Sequence, residues 1–190
     1  MRLGISVGEF YLGYASGVAA CKVNGCGEFV LAELTQTFDK SDVSYFFPLM
    51  EQAQRHLGFA PPNGTADAAF DAFYVHEYFH NAGGMAAVPL VERSNSAYRA
   101  FAEDGALLCT ANLPMFLKGT FTSYTSLVTH QRQRWWCPLL HPARSADACP
   151  VDHPKWAKEG CKSTIAASIG ARIRLQLDRQ SDDYRQIYRQ

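Results

Sequence analysis

No apolar run in this 190-residue chain approaches the ~18 residues that a membrane-spanning helix needs. Charged residues are also sparse, at 19% against 47% hydrophobic. That balance excludes a disordered chain and describes a globular one with material for a sizeable core. A secretory leader is not expected either. "VAAC" before Cys21 looks like a lipoprotein cleavage box, but Glu9 and the glycines at 4, 8, 13 and 17 interrupt the apolar stretch that export requires. The expectation is a cytoplasmic chain with reduced thiols. Finally, the six cysteines include no tight Cys-x2-Cys pair, the commonest presentation of a zinc module.

What is present is unevenly placed. Residues 1–92 hold 4 Lys and Arg against 10 Asp and Glu, and residues 93–190 hold 14 against 8. The halves are therefore −6 and +6. Chance scatter over a surface gives such a split; so does an acidic half that holds cations beside a basic half that meets phosphates.

The first half has an α/β rhythm. "YLGYASGVAACKV" and "GEFVLAELTQTF" are β-rich runs around Asn24-Gly25, a hairpin signal. In "SDVSYFFPLMEQAQRHLG", Val43, Phe46, Phe47, Met50, Ala53 and Leu57 recur at helical spacing and Gly58 is the stop, while Pro48 opens or kinks the helix. A short strand ending near Asp67, a helix from about Asp71 closed by Gly83-Gly84, and a strand "MAAVPLVE" limited by Pro89 complete the order. Strand, strand, helix, strand, helix, strand is an α/β pattern. Within it, Asp67 falls at a sheet edge where a divalent cation can sit, and Asp71 is expected to N-cap the next helix. An isolated Asp at a strand end is more often a cap than a ligand.

From Arg93 to Cys161 the periodicity fails and prolines 114, 138, 142, 150 and 154 punctuate the chain. A structureless loop of that length does not suit a compact domain, so something other than a large core must hold it. Cys-Pro-x-x-His-Pro occurs at 137–142 and again at 149–154, and Cys161 follows 12 residues after Cys149. Three states remain open for these thiols: structural zinc, plain reduced cysteines, or disulfides. For zinc the first choice of ligands is Cys109, Cys137, Cys149 and Cys161, with His141 and His153 as alternates. Around them, Lys118, His130, Arg132, Arg134, Arg144, Lys155, Lys158 and Lys162 interleave with Tyr124, Trp135, Trp136 and Trp156. Cations near aromatics suit phosphate contacts and base stacking; equally, the tryptophans can form a minimal core. Lys118, Arg132, Arg134, Lys155 and Lys158 are the candidate nucleic-acid contacts. Beyond Cys161, Ile165, Ile169, Ile173 and Leu177 recur at four-residue steps, which predicts helix.

Four stretches together resemble the transposases of bacterial insertion sequences with an Asp-Asp-Glu catalytic domain. They are "GYASGVAA" with "GEFVLAELTQTF", "DVSYFFPLMEQAQRHLG", "ADAAFDAFYVHEYFHNAGGMAAVPLVER", and "GCKSTIAASIGARIRLQLDRQSDDYRQIYRQ". The resemblance implies an α/β, ribonuclease H-like mixed sheet flanked by helices, with an irregular Cys-rich insertion before the C-terminal helices. The implied divisions are 1–92 (partial core), 93–162 (Cys-rich basic insertion, the candidate zinc segment) and 163–190 (C-terminal helical part of the core). It also implies Mg²⁺-dependent cleavage and transfer of DNA strands, with Asp67 as the second aspartate of the triad and a magnesium ligand. The implied partners are DNA, as element ends and target, and a second copy in the full-length enzyme, with no membrane; the implied location is nucleoid-associated.

Two departures accompany the resemblance. Residues 1–38 contain no Asp to serve as the first of the triad, and the Glu expected after "YRQIYRQ" is not in the chain. One carboxylate of three cannot organise two metal ions, so the expectation is a transposase fragment inactive by itself. The alternative is a zinc-stabilised nucleic-acid-binding module without catalysis. A third reading, a small exported cysteine-rich protein, depends on processing at "VAAC".

Overall fold

The computed structural model describes residues 4–6, 9–11, 13–91, 100–151 and 159–189. Among these, nine strands and four α-helices make a mixed α/β chain. It divides into two units, Met1–Val91 with Asp178–Gln190, and Glu92–Leu177.

The first unit starts with a short antiparallel pair, β1 (Gly4–Ser6) and β2 (Glu9–Tyr11). Next comes the expected hairpin of β3 (Tyr14–Val23) and β4 (Gly27–Thr37). Gly25 takes the left-handed conformation in its turn, with φ of 80°, as an Asn-Gly turn requires. Alternate residues of β3 turn toward α1 (Phe46–Leu57), so that Ala15 and Ala19 pack on the cluster of Ala32, Tyr45, Leu49 and Ala53. Gly17 permits this approach, since a Cβ there would lie 2.7 Å from the Tyr45 ring. Pro48 sits in the first turn of α1, where its missing N–H leaves no bond unmade. Gly58 ends the helix in the left-handed conformation.

Then β5 (Gly64–Thr65) runs parallel to β6 (Ala86–Ala87), with α2 (Phe73–Asn81) between them in sequence. Parallel neighbours need such a crossover. Tyr74, Val75, His76 and Phe79 are the buried face of α2. Phe79 lies over Gly64 so closely that any side chain there would collide with its ring. Asp178–Gln190 contains α4 (Asp182–Tyr188), which packs on β5 and β6 through this unit's interior. The order strand, strand, helix, strand, helix, strand holds from β3 to β6. The described strands, however, form separate sheets, β3–β4 and β5–β6, rather than one.

The second unit corrects the expectation of an irregular insertion. It contains a three-stranded antiparallel sheet in the order β7 (Phe116–Ser123), β8 (His130–Trp136), β9 (Lys162–Ala166). The strands escape a hydrophobic template because β8 reads "HQRQRWW", an alternation of one polar type with another. The prediction of helix from residue 163 is corrected as well. Lys162–Ala166 is strand, and helix begins only at α3 (Ile169–Gln176), capped by Ser168, whose Oγ accepts from the Ala171 N–H. The four-residue step from Ile165 to Ile169 spans a strand and a helix, and Ser-Thr-Ile prefers the pleated surface. The expected division after residue 162 thus falls inside β9. Leu107, Cys109, Met115 and Trp135 are the buried core of this unit, joined by Phe101, Leu113, Cys161 and Ile165.

Candidate nucleic-acid interface and thiol cluster

Asp67 is exposed, two residues beyond β5. It caps a 3-10 turn, Ala68–Phe70, with Oδ1 accepting from the Ala69 N–H at 2.8 Å. Here the structure corrects the reading of the acidic pair, because the capping role belongs to Asp67 and not to Asp71. Helix α2 starts at Phe73, with Ala72 in the N-cap position. Asp71 turns inward, and its side chain is fully buried. Oδ2 accepts from the Val91 N–H at 2.9 Å. Oδ1 stands 3.5 Å from His76 Nε2 and 3.8 Å from Arg179 Nη2, while Arg179 Nε donates to the Val88 carbonyl at 3.1 Å. This knot ties the start of α2, the segment after β6 and the approach to α4. The grouping of Asp71, His76 and Arg179 is not legible in the sequence, because 108 positions separate Asp71 from Arg179 and nothing local marks an aspartate for the interior.

In the second unit the register of the sheet sorts the candidate residues onto two faces. Trp136 pairs with Phe116 and Lys162, Arg134 with Gly119 and Thr164, and Arg132 with Phe121 and Ala166. Since alternate residues share a face, His130, Arg132, Arg134, Trp136, Phe121 and Lys162 share one. Lys118, the extra residue at a bulge between Leu117 and Gly119, joins them. Lys118 Nζ lies 4.9 Å and Lys162 Nζ 5.4 Å from the centre of the Trp136 ring. The Arg134 guanidinium lies 4.3 Å from the centre of Phe121. Arg132 Nη2 donates to the Thr164 carbonyl at 3.3 Å. Each cation–ring contact stabilises by about 0.5–1 kcal/mol at an exposed site, and it also orients the cation. Base stacking on Trp136 is therefore not its evident role, because two ammonium groups already flank it. Trp135 belongs to the opposite, buried face.

That buried face carries the sulfurs. Cys137 and Cys161 stand opposite one another one step beyond the last ladder pair, Trp136 with Lys162. Cys109 sits in the same cluster, on a tight turn closed by Asn112. Cys161 packs against the core cluster that contains Cys109. Partial burial first, then the two neighbouring sulfurs, push this thiol up to about 12 from an ordinary 9.0. Of the four sequence-predicted zinc ligands, Cys109 and Cys161 thus share this core, and Cys137 stands opposite Cys161. Cys149 is a half-buried free thiol, and the His141 ring packs edge-on to Trp136 at 4.4 Å. His153, Lys155, Lys158 and Trp156 lie outside the described residues. Among the described residues, no group of three or more His, Cys, Asp and Glu side chains is placed to hold a metal ion, at Asp67 or elsewhere. No described helix is long and apolar enough to cross a membrane.

Compared with family models, with curated proteins and with solved structures, the chain shows no significant match.

Proposed function

We propose that this chain contacts nucleic acid through the exposed face of β7–β8–β9, as part of a DNA transposase catalytic domain that does not cleave DNA by itself. One observation carries the reading: Lys118, Arg132, Arg134 and Lys162 share a sheet face, with three of the four held against aromatic rings. Four cations on one face match a line of phosphates, with Lys162 also paired to the exposed Glu159 at 3.0 Å. The second unit supports the same reading through its charge, with 11 Lys and Arg against 6 Asp and Glu.

The transposase part of the proposal rests on the sequence resemblance and on the first unit's connectivity. Parallel β5 and β6 joined through α2, preceded by a hairpin and α1, fit a ribonuclease H-like core. Asp67, exposed beyond the C-terminal end of β5, suits one magnesium ligand of such a core. Magnesium there would activate the attacking oxygen and stabilise the leaving one, which takes further carboxylates than Asp67. On this reading cleavage belongs to a complete triad, and this polypeptide alone binds without cutting.

The test uses the full chain with a labelled DNA duplex, followed by fluorescence anisotropy across a salt series. Binding that weakens steeply with salt supports the reading; binding indifferent to salt, or none, overturns it. Magnesium-dependent nicking by the chain alone would overturn the assignment of an incomplete triad.

A further inference from the structure

We infer that the exposed face of β7–β8–β9 takes single-stranded DNA in preference to a duplex, with the Arg134 guanidinium as the plane on which a base stacks. The inference rests on the reading of that face as a nucleic-acid contact and names the form of DNA that fits it. Three observations carry it.

First, the arginines stand on the flat of a sheet and not on a ribbon. Arg132 and Arg134 belong to β8, the middle strand, with β7 on one side and β9 on the other. A major groove admits a helix or a two-stranded ribbon. A middle strand flanked on both sides does not carry its arginines to base edges there, so an undeformed duplex meets this face through phosphates alone. A single strand laid on the sheet offers phosphates and unpaired bases together.

Second, Arg134 presents a plane. Its guanidinium lies 4.3 Å from the centre of the Phe121 ring, and the side chain is exposed. One side of the plane rests on the ring and the other meets solvent. Guanidinium planes are surfaces on which unstacked bases lie. Trp136, by contrast, is enclosed by the His141 ring at 4.4 Å and by the ammonium groups of Lys118 and Lys162. The stacking position on this face is therefore the arginine rather than the tryptophan.

Third, there is room beside that plane. Across the sheet Arg134 pairs with Gly119 on β7 and Thr164 on β9, both exposed. A Cβ at Gly119 would have nothing within 4 Å. Cations border this space along β8. Arg132 comes two residues before Arg134, and Lys118 reaches over Trp136 two residues after it. Two residues span about 6.6 Å of strand, close to one nucleotide step of an extended single strand. A chain lying along β8 thus meets a cation, a stacking plane and a second cation. Lys162 adds less, since Glu159 pairs with it at 3.0 Å.

The experiment is fluorescence anisotropy with the full chain and three labelled probes of one length: a single strand, its duplex, and the same strand built of abasic sites. The single strand should bind about 10-fold more tightly than the other two, the share of one stacked base. Arg134→Lys keeps the charge and loses the plane. It should lower affinity for the single strand about 10-fold and for the duplex much less, with folding checked by circular dichroism. Duplex or abasic strand bound as tightly as the normal strand, with steep salt dependence, would overturn this inference and leave the nucleic-acid reading standing. Equal losses for single strand and duplex in Arg134→Lys would reduce the arginine to a point charge and overturn it too. No binding of any probe would remove both readings.

Discussion

The two units handle arginine in opposite ways. In the first, Arg179 is largely enclosed, its side chain 18% exposed, and is committed to the Asp71 carboxylate and the Val88 carbonyl. In the second, Arg134 is exposed and rests on the face of Phe121. A guanidinium facing a buried carboxylate is spent on the fold, because the desolvation of both ions is recovered only while the pair remains intact. A guanidinium pinned on a ring keeps its charge available to a partner. Similar side chains therefore predict different losses. Those in the first unit should appear as stability, and those in the second as affinity.

The largest expected effect is on the buried knot. Asp71→Ala removes the acceptor of the Val91 N–H and leaves Arg179 beside an uncharged side chain. It should cost about 3–5 kcal/mol, the usual result of breaking a buried pair by one partner. Urea unfolding followed by circular dichroism measures it. A loss below 1 kcal/mol, of the size expected for a surface charge, would erase the contrast between the units.

Much of the first unit is legible in the sequence because its signals are local. Asn24-Gly25 marks the hairpin, Gly58 the end of α1, and Gly83-Gly84 the end of α2, where the Gly84 N–H donates back to the Phe79 carbonyl. The second unit resists because β8 interleaves Gln with His and Arg, which hides strand periodicity from any apolar pattern. The aspartates resist for another reason. Asp67 and Asp71 both precede short helical turns, and only partners far along the chain, Val91 and Arg179, decide which one goes inside. Residue type alone groups Cys109 and Cys161 with Cys137 and Cys149, and nothing local tells that Cys109 and Cys161 join the core of the second unit. The grouping of Lys118, Arg132 and Arg134 on one face became visible only once the register was known.

Next in size is the exposed face. If Lys118, Arg132, Arg134 and Lys162 each neutralise one phosphate, the logarithm of affinity for duplex DNA should fall against the logarithm of salt with a slope of about −3.6. Arg134→Ala should lower affinity and make that slope shallower by about 1, without moving the urea midpoint. Arg134→Lys keeps the charge but loses the flat contact with Phe121, so it should retain the slope and bind less tightly. If Arg134→Ala changed stability but not the salt slope, the two units would be alike after all.

A smaller effect separates the acidic neighbours. Asp67→Ala removes one capping hydrogen bond to the Ala69 N–H and should cost about 1 kcal/mol, well short of the loss at Asp71. Asp67→Asn should recover most of it, since Asn caps as well as Asp. A cost at Asp67 matching that at Asp71 would mean that both carboxylates hold the fold.

The finest distinction is in pH. Tyr184 is buried on α4, and desolvation first of all raises its phenol above the ordinary 10.0; the Arg179 guanidinium opposes the shift, and Tyr188 and Asp71 add to it. Tyr74 and Tyr78, on α2, are raised by burial too. A raised value means that the folded chain keeps its proton longer than the unfolded one. The stability these phenols contribute is therefore complete below pH 10 and is lost as pH rises through the folded values. The first unit, with these three tyrosines around α2 and α4, should weaken as pH climbs above 10. Tyr184→Phe has no proton to lose and should make the decline shallower. Urea midpoints at pH 8 and at pH 11, for the parent chain and Tyr184→Phe, measure the difference. Equal declines in the two proteins would show that the ring gains nothing from being neutral, and that α4 is held by Arg179 and packing alone.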